Sequence, residues 1–223
     1  MEGDNYMNFK NTNVYNFDAL IRGMRNPLES WHKSDSEWDD EHKKFYIGQN
    51  DLKLAQKLIL AGNEHRKFMR QIFVSVDITA PLYWWKEFDT YKIGTVTNST
   101  STMHKLASKP ITIECFEITD YNKEIANNAG KLYDLSIEYN LIPFLENLRQ
   151  LYLETNDKRY WKELIRWLPE SWLQTRTVTM NYENLRNMYF QRRNHKLTEW
   201  SIDFVNWIKT LPYAKELIMI ESR

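Results

Sequence analysis

The stretch LPESWLQTRTVTMNYENLRNMYFQRRNHKLTEWSI, residues 168–202, decides how the chain is read. Thr175 to Thr179 reads as a brief extended piece. Asn181 then stands where a helix N-cap belongs, because its short side chain can accept from the amides of the first turn. The helix YENLRNMYFQRR follows. On it Asn187 and Arg192 lie about 140° apart, while Asn181 and Arg192 bracket about three turns. The cations Arg192, Arg193 and Lys196, with His195, suit the negative end of the helix dipole and equally suit an anionic ligand. Beyond them Leu197, Trp200, Phe204, Trp207 and Ile208 form one apolar stripe, predicting a last long helix.

Working upstream, Ile72, Val74, Val76 and Ile78 alternate with Phe73, Ser75, Asp77 and Thr79, the period of a half-buried strand over 71–79. Pro81 suits the first turn of a helix carrying Trp84, Phe88 and Tyr91 on one face, with Gly94 closing it. The hydroxyl-rich segment EFDTYKIGTVTNSTSTMHKL, residues 87–106, then falls in the loop beyond. Two readings stand side by side. Ser and Thr side chains bond their own backbone in solvated turns, and hydroxyls together with backbone N–H groups also make a cradle for a phosphate.

Elsewhere FDALIRGM (17–24) predicts a short helix, and 30–50 is charged and reads as irregular, with Glu37, Asp39, Asp40 and Glu41 in a solvated loop. DLKLAQKLILAG predicts an amphipathic helix capped by Asn50 or Asp51 and ended by Gly62. ITIECFEI (111–118) alternates like a second strand. Helical patterns run over 122–139, from Pro143 through PFLENLRQLYLET, and over KRYWKELIRWL. Strands and helices are segregated rather than alternating, so the class expected is α+β.

The 223 residues, 42% hydrophobic, suffice for one domain spanning 1–223. Thirty Lys and Arg balance thirty Asp and Glu, which argues against duplex nucleic acid as partner. No apolar run reaches the roughly 18 to 20 residues of a membrane helix, and MEGDNYMNFK lacks the regions of a signal peptide, so a cytoplasmic protein is expected. Cys115 stands alone and fits a reducing compartment. His32, His42, His65, His104 and His195 lack metal-ligand spacing, so no metal is expected.

The quoted stretch resembles the C-terminal half of flavin-dependent thymidylate synthases. Their pattern of Leu-Pro, Asn, Leu, Asn and Arg is matched by Leu168, Pro169, Asn181, Leu185, Asn187 and Arg192, with His195 one residue early and Glu199 following. FDALIRGMRNP resembles the family's first helix. DLKLAQKLILAGNE resembles its helix ending in Gly-His-Glu, with Asn63 in place of that His, and IFVSVDITAP resembles its strand to Ala-Pro. The resemblance implies an α+β fold with a small antiparallel sheet and a long helical C-terminal half. It also implies a homotetramer with nucleotide sites between subunits, and reductive one-carbon transfer to C5 of dUMP using FAD, NADPH and methylenetetrahydrofolate. Carried over residue by residue, it makes Arg192 the catalytic group polarising the pyrimidine. Asn98, Ser101, Thr102, Arg166 and Arg192 become substrate-binding residues, and Asn63, Asn181, Asn187 and His195 flavin-binding ones.

The family's Arg-His-Arg signature is absent: its place is held by Tyr91, Lys92 and Ile93, Met103 replaces a later Arg, and Arg166 is displaced by one residue. A charge-assisted bond contributes about 1.5 to 3 kcal/mol against about 1 for a neutral one, so these losses bear directly on phosphate affinity. Lys92, His104, Lys105, Arg166 and Arg192 are the cations available to compensate. The other reading is therefore a nucleotide-binding or protein-interaction module on the same fold without turnover.

Overall fold

A computed structural model describes residues 7–129 and 136–221. Strand β1 (Asn8–Tyr15) leads into α1 (Phe17–Arg25), a hairpin of β2 (Glu37–Asp39) and β3 (Lys44–Tyr46), and α2 (Gln49–Leu60). Then come β4 (Phe73–Pro81), α3 (Leu82–Phe88), β5 (Val96–Ser99), α4 (Thr102–Lys105) and α5 (Lys123–Ala129). The chain continues through α6 (Ile142–Thr155), α7 (Lys158–Arg166), β6 (Leu173–Asn181), α8 (Tyr182–Arg192) and α9 (Val205–Lys209). The class is α+β, with one four-stranded sheet in the order β1-β4-β6-β5. Side chains pair Thr79 with Thr175 and Asp77 with Thr177, stepping in opposite directions, so β4 and β6 run antiparallel.

The chain divides into two compact units. One contains 79–88 and 99–176, the other 7–78, 89–98 and 177–221. In the first, the helical core packs Leu106, Ile111, Phe116, Ile142, Leu145, Leu148 and Leu164 together. In the second, Val74, Val76 and Ile78 on alternate positions of β4 are buried, as the period demands. Phe17, Leu20, Ile21 and Met24 form the buried stripe of α1. Helix α8 buries Tyr182, Leu185, Met188 and Tyr189 as well as Glu183 and Arg186, so it is an interior helix rather than an amphipathic surface one.

Several expectations are corrected. Residues 30–50 are not irregular throughout: Asp39 accepts from the His42 amide at 3.0 Å, and the resulting turn pairs Trp38 with Phe45 across β2 and β3. Asp51 does not cap α2. It lies within the helix, fully buried, taking Arg25 Nε at 2.5 Å and the hydroxyls of Ser34 and Ser36 at 2.6 Å. Burial pushes its carboxyl up, but the bonds from Ser34, Ser36 and Arg25 together hold it below its ordinary value. The capping is done by Asp35, whose carboxylate accepts from the amides of Asn50 and Asp51. Gly62 follows the helix with φ +117°, a conformation that suits glycine.

ITIECFEI is not a strand: a 3-10 turn spans Ile113–Cys115, and only Phe116 pairs, with Trp172. Ile111 and Phe116 are drawn into the helical core instead. The helix expected over 122–139 is α5 followed by a π-helical turn at Ile137–Leu141, and its middle, 130–135, lies outside the described residues. Pro81 ends β4 rather than starting α3, and α3 stops at Phe88, well before Gly94. The brief extended piece at 175–179 is the nine-residue β6. The last helix is broken into a π-helical segment, Glu199–Phe204, and α9, although Trp200, Phe204, Trp207 and Ile208 are all buried. Side-chain burial preserved the stripe while the backbone hydrogen-bond pattern changed beneath it.

Candidate functional site

In the unit that holds α8, the helix begins with a capping box. Asn181 Oδ1 accepts from the Asn184 amide at 3.0 Å, and Asn184 Oδ1 accepts from the Asn181 amide at 3.2 Å. Asn184 Nδ2 also donates to the Ile93 carbonyl at 2.8 Å, which fastens the Tyr91–Gly94 turn to the start of the helix. Asn181 is thus buried and occupied as a cap, whereas Asn187 further along α8 is exposed.

At the other end of α8, Arg192 is held by aromatic residues. Its guanidinium carbon lies 4.6 Å from the Trp200 ring centre and 5.4 Å from that of Tyr91, and its Nε donates to the Tyr91 hydroxyl at 2.8 Å. The Tyr91 hydroxyl in turn donates to Gln191 Oε1 at 2.8 Å. His195 meets the same indole edge-on, with ring centres 6.5 Å apart, and its Nδ1 accepts from the Leu197 amide. Arg192, His195 and Tyr91 are therefore gathered around Trp200. Lys92 and Ile93, the other two residues of the altered triplet, are exposed, as are Asn98 on β5 and Asn63 in the turn after Gly62.

The hydroxyl run is not a loop throughout, and from Ser99 onward it belongs to the other unit. Val96–Ser99 is β5, and Ser101 caps α4 by accepting from the His104 amide at 2.9 Å. As a cap it uses an oxygen lone pair, and the hydroxyl proton remains a donor. The Thr100 amide donates to the Thr175 carbonyl at 2.9 Å, and Gln174 Nε2 donates to the Thr100 carbonyl at 2.9 Å. Thr102 opens α4 half-buried. Arg166 is exposed at the end of α7 and pairs with Glu163.

A cavity of about 300 Å³ beside α4 is lined by Met103, His104, Ala107, Tyr152, Lys158 and Trp161. It combines an imidazole and an ammonium with the rings of Tyr152 and Trp161. Trp161 Nε1 donates to the Met103 carbonyl at 3.1 Å, tying α7 to α4. A second cavity of this unit, about 750 Å³, is lined by Tyr121, Ile137, Leu141, Phe144 and Trp167 among others and is mostly apolar among the described residues. Among the described residues no three His, Cys, Asp or Glu side chains converge as metal ligands, and no helix is long and apolar enough to cross a membrane.

Sequence reasoning missed Lys158, Gln174 and the role of Tyr91. Lys158 lies 54 residues from His104, so no local spacing joins them. Gln174 carried one legible signal, an uncharged polar residue inside a strand whose neighbours Val178 and Met180 are core.

No protein-family model matches the chain, and no curated protein matches it by sequence. Solved structures do match. One is thymidylate synthase X (ThyX) from Helicobacter pylori with FAD and dUMP, with TM-score 0.62 and 18% identity over 95% of this chain and 96% of that one. A second structure of the H. pylori enzyme, also complexed with FAD and dUMP, gives 0.62 and 19% over 95% and 97%. The UMP/dUMP methylase PolB from Streptomyces cacaoi, bound with 5-Br dUMP, gives 0.60 and 13% over 96% and 94%. Over nearly its whole length, this chain has the fold of the flavin-dependent thymidylate synthases and of a related nucleotide methylase.

Proposed function

We propose that this chain binds a pyrimidine mononucleotide and transfers a one-carbon unit to its C5, in the manner of a flavin-dependent thymidylate synthase, with dUMP as the substrate. The observation that carries the reading is Arg192, a cation kept in place between two aromatic rings at the end of α8, on a fold whose solved relatives were bound to dUMP or its 5-bromo derivative. A guanidinium held this way can donate to a pyrimidine carbonyl and favour charge building on the ring. In the other unit, the Ser101 and Thr102 hydroxyls are the donors proposed for the phosphate, with the Lys158 ammonium adding positive charge near α4.

For a flavin's hydrogen-bonding ring edge the residues proposed are Asn63, Asn187 and His195, which would offer amides and an imidazole. Lys92 is the cation at the three altered positions for a diphosphate. When bound, FAD would supply hydride taken from NADPH, with methylenetetrahydrofolate as the carbon donor. Asn181 supports that arrangement indirectly, through the cap that fixes the start of α8. Assembly as a cytoplasmic homotetramer of single-domain chains belongs to the same proposal.

A second reading, nucleotide binding without turnover, is favoured by one feature: Tyr91 and Ile93 leave the triplet with a single charge. One experiment separates the two. Protein purified and titrated with FAD and dUMP should turn yellow with near-stoichiometric flavin absorbance, bind dUMP in calorimetry and form dTMP when NADPH and the folate are added. A colourless protein that binds dUMP alone selects the second reading, and one that binds neither ends both.

A further inference from the structure

Gln174 is a buried amide on β6, only 7% exposed, and both ends of it are used. Its Oε1 accepts from Arg176 Nε at 3.0 Å, while its Nε2 reaches off the strand to the Thr100 carbonyl at 2.9 Å. Its own backbone carbonyl accepts from Trp85 Nε1 at 2.9 Å, and the Arg176 guanidinium lies 4.2 Å from the Trp85 ring centre. The Thr100 amide is fixed as well, to the Thr175 carbonyl at 2.9 Å. Both backbone groups of Thr100 are thus pinned to β6, one of them by a side chain. Ser101 comes next in the chain, about 3.8 Å away from Cα to Cα, so it inherits that placement.

We propose that Gln174 is a positioning residue: its amide N–H, bonded to the Thr100 carbonyl, sets the Ser101 and Thr102 hydroxyls where they meet the phosphate of the bound mononucleotide. This rests on the function proposed above. A buried amide that only satisfied the interior would need any acceptor. This one spends its donor on the residue immediately before the proposed phosphate-binding hydroxyls, and its carbonyl on an arginine stacked against Trp85. Arg176 and Trp85 hold the amide plane, and the amide holds the segment.

The test uses the full chain, dUMP as the probe, and two variants. Gln174→Met is neutral and of similar length but loses both hydrogen bonds. Gln174→Glu retains the acceptor for Arg176 and loses the donor to Thr100. Calorimetry is expected to show at least a tenfold weaker dUMP affinity in both, with amide hydrogen exchange accelerated at 99–102 and unchanged through the rest of the unit. Three results overturn the proposal: wild-type affinity in either variant, a loss in Gln174→Met that Gln174→Glu does not share, or exchange accelerated throughout the unit together with a large fall in melting temperature. If the wild-type chain binds no dUMP, the function reading and the phosphate role fall together, and unchanged exchange at 99–102 would remove the pinning of the segment too.

Discussion

Arg192 Nε donates to the hydroxyl of Tyr91, 101 positions earlier in the chain, at 2.8 Å. Tyr91 occupies the first place of the altered Arg-His-Arg triplet, so a residue that cannot bind phosphate as a guanidinium would instead steadies one. Arg192→Ala is expected to weaken dUMP binding tenfold or more, and Arg192→Lys should recover little, because an ammonium neither stacks on Trp200 as a plane nor donates as a fork. Tyr91→Phe keeps the ring contact and loses the hydroxyl's bonds to Arg192 and Gln191, of which only the first touches the guanidinium, so its effect should be smaller, under about tenfold. Calorimetry on the three variants checks the order, and an Arg192→Ala protein with wild-type affinity would take Arg192 out of the site.

Ser101 carries two assignments that one substitution cannot separate, since alanine removes both the cap of α4 and the proposed phosphate donor. Ser101→Ala should cost about 0.5 to 1 kcal/mol of stability as well as affinity. Ser101→Asp keeps a capping oxygen for the His104 amide and adds a negative charge. Its melting temperature should match wild type while dUMP affinity falls further than in Ser101→Ala. Equal affinity in wild type and Ser101→Asp would leave Ser101 a helix cap only.

Elements with local periodicity were legible in sequence. The alternation Val74, Val76, Ile78 gave β4, and Asn181 followed by an apolar-rich run gave the cap and span of α8. What could not be read were features fixed by distant partners. Asp51 looks like a cap until Arg25 draws it inward, and ITIECFEI alternates correctly yet finds one pairing residue, Trp172, instead of a ladder. The proposed site divides the same way. Asn187, Arg192 and Ser101 were visible as residues, but that Tyr91 would join the nearby Trp200 against Arg192, or that Gln174 would hold Thr100, depends on contacts across 101 and 74 residues of chain.

Gly94 joins two of these features. It has φ +75°, and a Cβ there would lie 2.9 Å from both Asn181 Nδ2 and Asn184 Oδ1. Asn184 cannot swing aside without cost, because its side chain bonds the Asn181 amide and the Ile93 carbonyl. Left-handed backbone costs a non-glycine residue about 1 to 2 kcal/mol, and loss of the capping box adds about 1 more. Gly94→Ala should therefore lower the melting temperature by roughly 4 to 10 degrees for a chain of this size. An unshifted melting curve would mean that the turn and the cap are not coupled.

Glu146 provides a pH signature of the other unit. Arg149 binds its carboxylate through Nε at 2.8 Å and Nη2 at 2.6 Å, and the Ile111 amide and Gln150 side chain complete the set. The Arg149 bonds are the largest cause holding its pKa down to about 2, against the opposing effect of partial burial. Because the folded value is depressed, the stabilisation is complete above the ordinary value of 4.5 and is lost as the pH falls from there toward about 2. At about 1.4 kcal/mol per unit, a fall from 4.5 to about 2 corresponds to at most about 3.5 kcal/mol. Glu146→Gln should melt several degrees below wild type at neutral pH, with the gap narrowing steadily as the pH approaches about 2. Thermal melts of both proteins across that range give the comparison, and a gap that stays constant with pH would show that the carboxylate's charge contributes nothing to holding Ile111 against α6.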